Sequence, residues 1–346
     1  MKEKNCRLGK VGGQAVMEGV MMRGPERYCT AVRKDSGEIV RDIHPNKSAK
    51  DRVKILRAPI IRGVVNFVET LKLSFSTLNF AAEAIGFEDE EETAFDRWLK
   101  KHLGDHAVAV FTAIGSVLGL VLAVVLFMWL PALISNWLGQ FVSFPYFRNI
   151  IEGFIKILIF LVYLILVSLT PYIKRVFMYH GAEHKSIFCY ENGLELTVEN
   201  VKKQKRLHPR CGTSFMILMM FVGVAVGLFL PRDNTVIYTC LKLLTLPVVV
   251  GLGYEIIRFA GKHDNLFTRI ITAPGKWMQL ITTKEPDDSM MEVAIVALKT
   301  ALNGEFAEED VFAGIEQPSK DEPAKESAEA PESDENGSSS EAESHI

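Results

Sequence analysis

Positions 107–147 contain no Asp, Glu, Lys or Arg. A stretch of that length without one charge has no face to offer water, so the chain requires a bilayer and is not a plain cytosolic globular protein. Four apolar segments, at about 107–130, 153–173, 212–230 and 236–257, each supply the roughly 20 helical residues that a hydrocarbon core needs. The second carries Lys156 and the fourth Lys242, both shallow enough to snorkel outward.

The basic residues set the orientation. Residues 131–152 hold only Arg148, and 231–235 only Arg232, whereas 174–211 holds Lys174, Arg175, Lys185, Lys202, Lys203, Lys205, Arg206 and Arg210. Arg97, Lys100 and Lys101 precede the first span, and Arg258, Lys262, Arg269 and Lys276 follow or end the last. All of the basic segments fall on one side if both termini are cytoplasmic. No apolar region follows the first residues, so no cleavable signal peptide is expected. The five cysteines make no close CxxC pair, which indicates neither a disulfide framework nor a zinc ribbon.

The expected fold is a predominantly α-helical polytopic membrane protein of about four transmembrane helices with a small β-rich N-terminal unit. Residues 1–57 form that unit, on the cytoplasmic side, with Asp35-Ser36-Gly37 marking a hairpin and the glycine-dense run Gly12–Pro25 reading as a bent strand pair. This run lacks the Gly-Lys-Ser/Thr ending of a phosphate loop, so nucleotide binding is not indicated; Glu18 and Arg23 are its candidate site residues. Over 58–106 an amphipathic juxtamembrane helix and a linker follow. Ile60, Val64, Phe67, Leu71, Phe75 and Leu78 share one face and Arg62, Asn66 and Glu69 the other, so the helix lies on the membrane or packs on the bundle. The four-span domain occupies 107–262 and encloses a cytoplasmic loop at 174–211. Residues 263–304 read as an interfacial segment and a helix opened by a Ser289/Glu292 capping box. The tail at 305–346 reads as disordered: residues 316–346 carry ten acids against two Lys, so the chain's net charge of −3 leaves about +5 on 1–315.

Just past the second span lies His180-Gly181-Ala182-Glu183-His184. At four residues' spacing on a helix both imidazoles project from one face. This is the H-x-x-E-H arrangement of inverted zinc hydrolases, with two His ligands and a Glu that takes a proton from water. A catalytic zinc takes three protein ligands. Glu255, near the cytoplasmic end of the fourth span, is the first choice for the third, although Arg258 one turn on is an ordinary ion-pair partner for it. Cys211 and His208, at the mouth of the third span, are the reserves.

The segments Gly12–Pro25, Pro59–Gly63, His180–Lys185, His208–Ser214 and Ala273–Gln279 resemble the bacterial DUF1385 family over about 8–304. The resemblance implies a multi-pass membrane protein with metal-dependent chemistry and names no substrate. The leading expectation is a bacterial inner-membrane protein with a cytoplasm-facing divalent-metal (zinc-like) hydrolase site: His180 and His184 as ligands with Glu255, Cys211 or His208, Glu183 as general base, and a peptide or lipid as substrate. Its partners are the lipid bilayer and other membrane proteins, with no nucleic acid. The alternative is a non-catalytic membrane scaffold; a transporter ranks third, because the spans hold few ionisable residues.

Overall fold

The structure is a computed structural model that describes residues 7–86, 107–141, 145–231, 233–260, 266–302, 304–315 and 317. Most of the acidic tail lies outside the described residues, as do Cys6, Arg97, Lys100, Lys101, Arg232 and Lys262.

The N-terminal unit is a four-stranded antiparallel meander in the order β1 (Gly12–Val16), β2 (Gly19–Arg23), β3 (Arg27–Arg33) and β4 (Ile39–Pro45). Register is set by Val16 opposite Gly19, Val20 opposite Ala31 and Arg33 opposite Ile39. The β3–β4 connection turns at Gly37, whose φ of +86° suits a residue without Cβ. In the β1–β2 turn Glu18 takes a φ of +47°. Its carboxylate is clasped by Arg175, Nε donating at 2.5 Å, and by the Tyr179 hydroxyl at 3.2 Å. Those two ion-pair and hydrogen-bond partners hold a non-glycine residue in a conformation it otherwise avoids.

Both faces of this sheet are covered. On one side Val16 and Val32 pack with Ala81 of helix α1 (Ile61–Ala84). On the other, Val20, Met22, Cys29 and Ala31 join the main core built on the C-terminal helix Asp288–Ala301, where Met290, Met291, Ile295 and Leu298 are fully buried. That helix is apolar nearly all round, as befits one enclosed by the sheet and by the helix that carries the His pair. Its N-cap is Asp287, which accepts from Met290 N at 2.9 Å, and not Ser289; Ser289 donates to Asp287, and Glu292 pairs with Arg33 at 2.5 Å. A carboxylate two residues upstream reached the free N–H groups first.

Among the described residues, three stretches are long and apolar enough to cross a membrane: Ile114–Leu138, Arg148–Ser168 and Thr235–Phe259. The first joins α2 (Ala107–Val124) to α3 (Leu130–Leu138) through a π turn at Val125–Trp129. Pro131 has no N–H to continue the α ladder, which is where such a turn arises. The others are α4 (Pro145–Ser168) and α7 (Thr235–Ala260). Leu118, Leu120, Leu122, Phe154, Leu158 and Leu244 point outward, fully apolar surface that suits lipid and not water. The expected third span is the 16-residue α6 (Gly212–Gly227), about 24 Å at 1.5 Å per residue, shorter than the others. Lys242 and Lys156 do not snorkel: both line a cavity between α4, α6 and α7, and Lys242 bonds Glu152.

Helix α1 packs against α7 and the sheet. Helix α5 (Pro171–Glu191) continues from α4 after a two-residue break with Pro171 at its first turn. Helix α8 (Leu266–Thr282) lies along α6 and leaves Ile270, Trp277 and Leu280 outward. The helix at Asp288–Ala301 is α9.

Candidate metal centre

Helix α5 leaves the membrane stretch and runs under the sheet, so the residues from Gly181 to Ile187 are buried. His180 and His184, one turn apart, have ring centroids 4.4 Å apart. Cys211 is the N-cap of α6, following the Pro209 turn, and this end of α6 points at α5. His180 Nε2 lies 3.2 Å from Cys211 Sγ. Among the described residues, one ligand atom each from His180, His184 and Cys211 gather within 4.8 Å of one another.

The backbone orients both rings. His180 Nδ1 is 2.8 Å from Thr282 O, and His184 Nδ1 is 2.5 Å from Arg206 O. A carbonyl only accepts, so each Nδ1 carries the proton and each Nε2 presents its lone pair. Among the described residues, His184 Nε2 is buried with no hydrogen-bond partner. Burial alone would raise the Cys211 thiol, but the adjacent His184 and Thr213 outweigh it and hold it below its ordinary value, which favours the thiolate. Burial keeps His184 below its usual range, so the neutral ring is preferred. Two neutral imidazoles and a thiol inclined to ionise are a donor set that fits zinc and leaves a fourth position open.

Glu183 flanks this set in a cleft of about 470 Å³, lined also by Gly13, Arg23, Asn46, His184 and Cys211. Strand β1 lies against its carboxyl: Ala15 N–H donates to it, and a Cβ on Gly13 would come 2.8 Å from Glu183 Cγ. The two-glycine run therefore lets a strand press onto a carboxylate. Glu183 Oε2 is buried without a hydrogen-bond partner among the described residues, and burial pushes this carboxyl up to about 8.

The other two expected ligands lie elsewhere. His208 is buried beside the set, its ring centroid 5.6 Å from that of His184, but its nitrogens are taken: Nε2 faces Glu191 Oε2 at 3.5 Å and Nδ1 accepts from Arg210 N at 3.3 Å. Gln279 of α8 clamps the same turn, accepting from His208 N and donating to His208 O, each at 2.8 Å. Glu191 also receives Gly9 N at 2.9 Å and pairs with Arg210. Burial would raise its carboxyl, but these partners hold it below the usual range. His208 thus supports the Cys211 turn.

Glu255 is engaged by α1, with Arg62 Nε donating to Oε1 at 2.6 Å, a second Arg62 contact to Oε2, and Ile60 N at 3.4 Å. Arg62, not Arg258, is its principal partner, and Glu255 is absent from the His/Cys grouping. Depth along a helix is legible in the sequence; the neighbour at that depth is not. The Glu255→Gln variant should therefore keep its metal content unchanged while losing only a little stability, because a solvent-screened pair contributes little. Metal analysis beside a thermal melt checks this, and loss of metal would return Glu255 to the ligand set. The supporting carbonyls of Thr282 and Arg206 carried no signal in the sequence, because a backbone acceptor has no residue type.

A family model described as "Protein of unknown function (DUF1385)" matches residues 58–304. The chain is similar to a Bacillus subtilis (strain 168) protein, "Uncharacterized protein YqhQ", with 36% identity over 299 residues, covering 86% of this chain and 94% of that protein. No solved structure matches. The extent of both matches, across the membrane helices and the His/Cys site alike, makes the chain a member of the DUF1385 family.

Proposed function

We propose that this protein is a metal-dependent hydrolase of the bacterial plasma membrane, with α6 as a short fourth crossing, both termini cytoplasmic, and a zinc-like ion held by His180, His184 and Cys211. The observation that carries the reading is the orientation of the donors: both Nδ1 atoms are committed to carbonyls, and Nε2 of His180 converges with His184 and Cys211 Sγ. The crossing pattern rests on the eight basic residues of 174–211 against one in 131–152. A helix of 16 residues spans a thinned bilayer, or one extended by the hydrogen-bonded turn at Leu228–Leu230.

Zinc in such a set supplies Lewis acidity and lowers the pKa of water. The rest falls to the chain. Glu183, next to a ligand and with an unengaged oxygen in the cleft, is the group that accepts the proton of an attacking water and returns it to the leaving group. A neighbouring positive charge would draw its raised value down toward neutrality, where a general base works best. Gly13 and Ala15 fix the carboxyl, and the sheet above it limits access by bulk water. The substrate is a peptide or lipid bond presented near the cytoplasmic interface.

The Glu183→Gln variant tests the role. It should retain the metal and lose turnover of a peptide or lipid substrate by about 100-fold or more, the scale of general acid–base catalysis. Full turnover in this variant would remove Glu183 from the mechanism.

A further inference from the structure

At the end of the bundle opposite the His/Cys site, the membrane helices enclose a second polar site. Glu152 and Lys156, one turn apart on α4, and Lys242 of α7 line a cavity of about 150 Å³ together with Asn149, Tyr238 and Thr245. Lys156 is eight residues into the stretch Arg148–Ser168, about 12 Å at 1.5 Å per residue, and so lies within the hydrocarbon. Lys242, seven residues after Thr235, is about 10 Å into its own stretch. Glu152, at 2% exposed, Asn149 and Tyr238 are buried, and Lys156 and Lys242 are half-buried. Lys242 bonds Glu152 and rests over the Tyr238 ring at 4.3 Å, and the Tyr238 hydroxyl donates to Asn149 at 3.0 Å. Lys156 makes no hydrogen bond or ion pair within 4.0 Å among the described residues.

Charges at this depth are costly and persist where they serve a ligand or a pathway. With its amines protonated, the set holds two ammonium groups against one carboxylate, an excess of one positive charge. The Glu152–Lys242 pair neutralises itself, leaving Lys156 facing a cavity several times larger than one water requires. An ammonium in low dielectric calls for an anion. On the flanks of α4 and α7 beside this cavity, Phe154, Leu158, Leu244 and Leu246 are exposed apolar surface, where acyl chains would lie.

We infer that this cavity binds a singly charged phosphate group, with Lys156 as the principal cation, the Glu152–Lys242 pair as its fixed wall, and either a phospholipid headgroup or free phosphate as the source. The site stands apart from the His/Cys centre and does not depend on it.

The test uses the full chain purified in detergent, titrated separately with phosphatidylglycerol, inorganic phosphate and diacylglycerol, and read by native mass spectrometry and melting temperature. Wild type should retain one phosphate-bearing molecule and melt higher with it. Lys156→Met, which leaves the Glu152–Lys242 pair intact, should weaken that binding about tenfold or more, the worth of one charged hydrogen bond. Lys156→Arg, which keeps the charge, should retain it, and a melting transition in the Met variant without ligand confirms that it folds. Binding of phosphatidylglycerol alone identifies the headgroup as the source; binding of inorganic phosphate as well identifies a site for the free anion. Equal binding by wild type and the Met variant, binding of diacylglycerol as tight as that of phosphatidylglycerol, or no binding of either phosphate probe would overturn the inference.

Discussion

Replacing His180 and His184 together by Ala should strip the purified protein of zinc. Two of three proposed ligands disappear, and the remaining Cys211 thiol has only solvent to complete a coordination sphere. The loss should exceed the roughly 10–100-fold that a metal site suffers when only a supporting hydrogen-bond partner is removed. Single variants should fall in order: His184→Ala is severe, because its Nε2 has no other partner among the described residues, and Cys211→Ser is milder, because a hydroxyl keeps the Thr213 contacts that shape the α6 cap. Elemental analysis of equal amounts of folded protein decides it. Zinc content unchanged in the double variant would leave His180 and His184 as packed, carbonyl-bonded side chains without a metal.

Gly181→Ala is the second large effect, and it acts through the backbone. A Cβ at this position would sit 2.0 Å from the Lys284 carbonyl oxygen and 3.2 Å from Pro286 Cδ. The 283–287 segment cannot yield easily, because Lys284 N donates to Phe177 O at 2.8 Å and Asp287 caps α9. Helix propensity alone would make Ala better than Gly by about 1 kcal/mol. Overpacking against backbone costs about 1–3 kcal/mol and wins, because the obstacle is a carbonyl and not a flexible side chain. The variant should lose up to about 2 kcal/mol of stability and much of its zinc, since His180 is adjacent and takes its orientation from Thr282. A melting temperature equal to or above that of wild type would show that α5 and this segment are not packed this way.

What the sequence made legible follows from which interactions are local. The β3–β4 hairpin is announced by Asp35-Ser36-Gly37, and the membrane stretches by their apolar runs, because turn chemistry and hydrophobicity are properties of a segment. The pairing of His180 with His184 is likewise a matter of helical spacing. The third partner was not local. Glu255 and Cys211 share a depth at the membrane edge, but α1 inserts Arg62 beside Glu255, whereas the Pro209 turn aims Cys211 at α5. Nothing in the order of residues places α1 laterally. The same holds for Lys242: a lysine near the end of an apolar run reads as snorkelling, and only the packing of α4 and α7 on α6 shows that it meets Glu152. The first apolar stretch runs on to Leu138, past the 130 expected, because a π turn at Val125–Trp129 precedes Pro131 and the helix continues.

The most direct test of the account is zinc-edge X-ray absorption on the full-length wild-type protein, purified without added chelator. The account predicts about one zinc per chain, with one sulfur ligand near 2.3 Å and imidazole scattering from two histidines, the distances that zinc keeps to thiolate and imidazole. A first shell of oxygen and nitrogen alone, or protein that carries no metal and takes up none from zinc buffer, would contradict it.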